Sequence, residues 1–222
     1  MATIEELQLS HRIKNGVHDQ NYALVPFSLS RGHFDEAVSH FFEFLTLHDD
    51  LKNQFQLKAI SNDEESFVGY LKREKQKRVD VALGENFYDQ KEYFHYNRYA
   101  EKNFKHLIDG GDKRVTLFFE SAYTIYEHAE NLACQIIDDL DGIFPGLKGK
   151  FLQESVLPHF YLRFLKYYTT GAGAFLAKAH YDQGGFTLAL AESAPGLRIG
   201  RNNKNLREVM HTDGHAVFMP GL

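Results

Sequence analysis

Apolar residues recur at helical spacing between Ser30 and Phe55, where Phe34, Val38, Phe41, Phe42 and Leu45 follow the candidate caps Ser28 and Ser30. That spacing predicts an amphipathic helix over 30–55 with its aromatics toward the core. A longer helix is predicted from Asp112 to Asp141, because Val115, Phe118, Ala122, Ile125, Ala129, Leu132, Ala133, Ile136 and Leu140 keep the 3.6-residue period. Phe144-Pro145-Gly146 then stops it. Residues 61–80 are dense in charge, and the basic run from Lys72 to Arg78 is expected to be a solvated helix face or loop rather than an anion site. After Pro158 the pattern becomes short aromatic and β-branched runs broken by glycine: HFYLRFLKYY, GAFLAKAHY, GGFTLALAE, GLRIG, LREVM and HAVFMPG. These are expected to be strands at hairpin spacing. A mainly helical part over 1–150 feeding a sheet over 151–222 makes one α+β domain of the whole 1–222 chain.

Composition narrows the partners. Hydrophobic residues at 43% and charged residues at 25% are those of a folded domain, and 222 residues can bury one continuous core. A net charge of −5 offers no basic field for a phosphate backbone, so a small molecule or a protein is expected as partner and nucleic acid is not. The sequence has no apolar stretch of the ~18 residues that span a bilayer, so no membrane role is expected. The sole cysteine, Cys134, cannot form an intrachain disulfide, which fits a reducing, cytoplasmic setting. Phe at 19 and Tyr at 12, with no Trp, suit a core containing substantial sheet.

The candidate chemistry lies in His-x-Asp, since residues i and i+2 of a strand share a face and can offer an imidazole and a carboxylate to one ion. Three such pairs occur: His48/Asp50, His180/Asp182 and His211/Asp213. The first falls near the end of the predicted 30–55 helix, where i and i+2 diverge, and surface polarity explains it. The third lies in HTDGH, whose Asp-Gly marks a turn, although His211, Asp213 and His215 could converge on a metal if the segment stayed extended. His180 and Asp182 end a predicted strand and precede Gly184-Gly185, which lets the chain turn sharply around an ion. This pair is the preferred metal site; the alternative is a hydrogen-bonded core histidine and a turn aspartate.

The stretch LRFLKYY, then AHYDQGGFTLALAESAPGLRIG, then LREVM and HAVFMPG, over residues 162–221, resembles the iron-binding half of the isopenicillin N synthase-like 2-oxoglutarate oxygenases. There a strand with Arg and Tyr precedes His-x-Asp, followed by a Thr-Leu strand, a Gly-Leu-x-Ile strand and an apolar strand ending in Gly. DQKEYFHYNR, Asp89 to Arg98, is similar to the segment leading into that family's long helix. The resemblance implies a double-stranded β-helix, a jelly-roll variant with flanking N-terminal helices. It also implies Fe(II) held by two His and a carboxylate, with 2-oxoglutarate and O2 in the open positions and ascorbate as a further cofactor. His180 and Asp182 would be two of the three ligands. Tyr167 would be a cofactor contact or, equally, a core aromatic: Tyr168 stands where the family has Pro, and Leu165 where a small polar residue often accompanies that Tyr.

The family's second His, and the Arg and Ser that grip 2-oxoglutarate, come several tens of residues after the Asp. The jelly roll is therefore expected to be C-terminally truncated, and the 222 residues to lack the third ligand. The expected function is non-haem Fe(II), 2-oxoglutarate-dependent oxidation of a small molecule. Two alternatives stand beside it. One is a catalytically inactive oxygenase-like binding or scaffold protein; the other is a cupin-like metalloprotein using His180, Asp182 and either His211 or His215.

Overall fold

The computed structural model describes residues 4–59, 67–73, 77–80, 85–88, 90–152, 160–168, 176–177, 179–182, 184–202 and 204–221. The chain divides into two compact units: residues 1–35, 127–156 and 181–222 form one, and 36–126 with 157–180 the other.

The second unit is built around phenylalanine. Helices α2 (Arg31–Leu45), α3 (Asp49–Gln54), α4 (Ala100–Ile108) and the first half of α5 (Lys113–Asp141) supply one wall. A four-stranded antiparallel sheet in the order β2 (Lys58–Ala59), β3 (Phe67–Arg73), β6 (Lys91–Tyr96), β7 (Leu162–Tyr167) supplies the other. Phe94 of β6 and Phe164 of β7 pair in register, and both rings lie 5.1 Å from Phe118 of α5. Phe41, Phe44, Phe55, Phe104 and Phe119 complete the cluster and are fully buried. Tilted and edge-on contacts dominate, as the ring quadrupole favours. A two-stranded ribbon of β4 (Lys77–Asp80) and β5 (Glu85–Tyr88) belongs to the same unit.

Two expectations change here. The 30–55 helix is two helices, because Thr46 Oγ1 donates to the Glu43 carbonyl at 2.6 Å and His48 takes extended backbone ahead of α3, whose first turn carries Asp49 and Asp50. His48 and Asp50 therefore mark a helix start, not a helix end, and both remain exposed. Lys72 and Arg73, the start of the run expected as solvated helix or loop, end β3, in which Val68 and Tyr70 are buried, and Lys77 and Arg78 begin β4. Alternating Val68, Tyr70 and Lys72 is a strand pattern that the surrounding charges obscured. Of the basic run, residues 74–76 lie outside the described residues. Gly69 at φ +118° lets β3 press against the end of α3, where Tyr70 N–H donates to Phe55 O at 2.6 Å. With six strands before residue 150 among the described residues, the N-terminal part carries more sheet than helical periodicity revealed.

The first unit contains α1 (Ile4–Gln20), α6 (Leu147–Phe151), the second half of α5, and an antiparallel sheet in the order β1 (Ala23–Pro26), β11 (His215–Pro220), β8 (Phe186–Ala189). As the central strand, β11 buries Ala216, Val217 and Phe218 in succession. β9 (Arg198–Ile199) and β10 (Arg207–Glu208) form a short separate ribbon. The α5 boundaries agree with the periodicity, and Phe144-Pro145-Gly146 does follow its end, with Gly146 at φ +90°. Asp213-Gly214 makes the expected turn, closed by His215 N–H donating to Thr212 O at 3.1 Å. It joins strands of two different sheets rather than a hairpin pair. The predicted strand GAFLAKAHY is absent among its described residues, 176–177 and 179–181, while 173–175 and 178 lie outside them.

Candidate metal centre

His180 is exposed and Asp182 half-buried, both on irregular backbone instead of the strand end expected of them. Local side-chain bonds account for that. Asp182 Oδ2 accepts the Thr187 hydroxyl at 2.6 Å, closing the intervening loop onto β8, and Tyr181 donates from its hydroxyl to the Arg201 carbonyl at 2.6 Å. Between Asp182 and β8 the chain turns at Gly184, whose φ of +119° an L side chain rarely adopts. A Cβ on Gly185 would collide with the Phe151 ring, and Gly221 N–H donates to Gly185 O at 3.0 Å. The Asp182 loop is thereby clasped between α6 and the end of β11.

Tyr167 ends β7 opposite Lys91, whose ammonium lies 5.6 Å from the ring centroid. Strand alternation places Tyr167 with Arg163 and Leu165 on the face away from the phenylalanine cluster. His211 is half-buried, and burial followed by the positive Arg31 holds its imidazole below the usual histidine range. Its Nδ1 is buried without a hydrogen-bond partner. His215 donates from Nδ1 to the Asp213 carbonyl at 3.2 Å, a bond within its own turn.

An imidazole and a carboxylate are donors that suit Fe(II), and His180 and Asp182 provide one of each. Among the described residues no three His, Cys, Asp or Glu side chains gather closely enough to hold a metal ion. His180 and Asp182 could therefore supply at most two of the three donors that a facial triad needs.

Sequence reasoning passed over two polar groups of the second unit. Glu92 is 3% exposed, and its carboxylate accepts the hydroxyls of Tyr70 at 3.0 Å and Tyr168 at 2.9 Å. His95, 5% exposed, accepts at Nε2 from Arg163 Nε at 2.8 Å. The alternation within KEYFHY was the available signal: Glu92 interrupts an otherwise aromatic face that continues with Phe94 and Tyr96.

No protein-family model matches the sequence, and no curated protein sequence matches it. Solved structures do. A candidate 2OG-Fe(II) oxygenase family protein of Caulobacter crescentus superposes with a TM-score of 0.66 at 17% identity, covering 98% of this chain and 70% of that one. A full-length Neurospora crassa protein in complex with alpha-KG gives 0.69 at 14% identity, covering 97% of this chain and 68% of that one. JOX2 in complex with 2OG, Fe and JA gives 0.65 at 20% identity, over 98% of this chain and 63% of that one. At these identities the likeness is one of fold: helices and antiparallel sheets arranged as in the 2OG-Fe(II) oxygenases.

Proposed function

We propose that this chain is the greater part of a non-haem Fe(II), 2-oxoglutarate-dependent oxygenase that oxidises a small molecule with O2. The observation that carries this reading is the likeness, over nearly the whole chain, to the Neurospora crassa protein and to JOX2, in structures holding alpha-KG or 2OG and Fe. On this reading the antiparallel sheets belong to a jelly roll, and the protein acts in the cytoplasm. His180 and Asp182 are two of the protein ligands to iron, and the third comes from outside the described residues. Bound there, iron and 2-oxoglutarate supply the oxidising chemistry. The chain's own part is to orient: Thr187 fixes one oxygen of Asp182, and the Gly184-Gly185 turn holds the loop that carries it. Tyr167, on the sheet face away from the phenylalanine core, is a contact for the cofactor.

The test is 2-oxoglutarate-dependent succinate release under O2 with added Fe(II), screened over small-molecule substrates. In a longer chain that supplies the later His and the Arg, release that requires Fe(II) and disappears in Asp182→Ala is expected. One observation favours a second reading: the described residues bring no three metal donors together, as in an oxygenase-like binding protein without turnover. Absence of both Fe(II) uptake and succinate release would favour it.

A further inference from the structure

We propose that the cavity between the C-terminal end of α1 and the β9–β10 turn binds a phosphate monoester of a small polar molecule, such as a sugar phosphate. The cavity measures about 590 Å3, within the size range of small-molecule sites, but its lining is polar where such sites are mostly apolar. Arg201, Lys204 and Arg207 bring three cations to it, against one carboxylate, Asp19, whose Oδ1 already lies 2.8 Å from His18 Nδ1. Short contacts hold the turn that carries the cations. Asn205 N–H donates to Asn202 O at 3.1 Å and Lys204 N–H to Asn202 Oδ1 at 3.0 Å, and Gly200 closes against Asn205, whose carbonyl a Cβ would strike. Arg201 donates from Nε to Asn21 Oδ1 at 3.3 Å and from Nη2 to His18 O at 3.4 Å, while its own carbonyl accepts the Tyr181 hydroxyl at 2.6 Å. Side chain and backbone of Arg201 are both held before a ligand arrives, which lowers the ordering cost of binding.

Charge supplies the second, independent observation. The chain has 30 acidic residues against 25 basic ones, and several of its cations sit on acidic neighbours, as Arg31 on Asp35, Lys105 on Asp109 and Arg114 on Asp112. No ion pair joins Arg201, Lys204 or Arg207 to a carboxylate among the described residues. The C-terminal carbonyls of a helix ordinarily repel an anion. Here Arg201 covers His18 O, and the Asn21 N–H covers Val17 O at 3.0 Å, so the cations dominate the local field. Three cations and one carboxylate leave an excess of two positive charges. A phosphate monoester carries about −1.5 to −2 at neutral pH and presents three acceptor oxygens. Guanidinium forks suit those oxygens, and the side-chain amides of Gln20 and Asn205 can bond a hydroxylated remainder. A dicarboxylate carries the same charge divided between two ends, and matches a single cluster of cations less well.

None of these residues is a candidate metal ligand, so the test uses metal-free protein and does not depend on the iron reading. Calorimetry follows binding of ribose 5-phosphate, inorganic phosphate, ribose and succinate to the full chain, to Lys204→Gln and to Arg207→Gln, with circular dichroism to verify folding. Saturable binding of ribose 5-phosphate, tighter than that of the other three probes, is expected. It should weaken about tenfold or more in Arg207→Gln, as loss of a charge-assisted bond requires. Succinate, ribose or inorganic phosphate binding as tightly as the ester overturns the proposal. No saturable binding of ribose 5-phosphate, or affinity unchanged in both variants, overturns it equally. Should Arg207→Gln not fold, unchanged affinity in Lys204→Gln alone is decisive against it.

Discussion

The Thr187 hydroxyl donates to Asp182 Oδ2 across 2.6 Å, tying the start of β8 to the loop that carries the candidate metal carboxylate. That bond fixes the orientation of the Asp182 carboxylate. Thr187→Val keeps the strand and the side-chain shape while removing the donor. It is expected to lower Fe(II) affinity about tenfold to a hundredfold, as loss of a group orienting a metal ligand commonly does. Anaerobic Fe(II) titration measures it; affinity equal to wild type would mean that Asp182 is not a ligand.

Phe118 touches Phe41, Phe44, Phe94 and Phe164 with ring centroids 5.1 to 5.4 Å away. Phe118→Ala should cost about 3–5 kcal/mol, since rigid rings on all sides cannot collapse into the cavity. Urea unfolding reads the loss. A cost below about 1 kcal/mol would show a loosely packed cluster.

His95 sets a pH dependence. Its folded value of about 3 lies below the ordinary histidine range, so between roughly pH 6.5 and 3 the unfolded chain takes up a proton that the folded chain refuses. Stability should therefore fall as pH falls through that window, with His95 contributing a slope of up to about 1.4 kcal/mol per pH unit. In His95→Phe that part of the slope should vanish. An identical acid-side profile in wild type and variant would contradict a buried, neutral His95.

Glu92 anchors two phenols. Burial, then the bond to Glu92, pushes the Tyr168 hydroxyl up to about 12, and burial ahead of the Glu92 charge raises Tyr70 as well. Glu92→Gln removes the negative charge and should move both phenols toward their usual range in a spectrophotometric titration. Unmoved phenols would contradict the assigned partners.

Where side chains repeat at a fixed period, the fold was legible: α5 follows its 3.6-residue pattern end to end, and β7, β8 and β11 fall on the aromatic runs that predicted them. Short-range competition was not legible. Thr46 breaks the 30–55 helix through a single side-chain bond to a carbonyl, and β3 hides among charges because only alternate residues turn inward. For the candidate site, the sequence pointed to Asp182 but not to Thr187 as the group holding it, a loop contact no period encodes. His95 and Glu92 escaped notice because their importance comes from partners 68 and 76 residues away, Arg163 and Tyr168.

Anaerobic Fe(II) binding to the wild-type chain, His180→Ala and Asp182→Ala tests the central claim most directly. Iron uptake by the wild type that both substitutions abolish, with circular dichroism unchanged, is the predicted result. Iron uptake indifferent to both substitutions, or no uptake by the wild type at all, would contradict it.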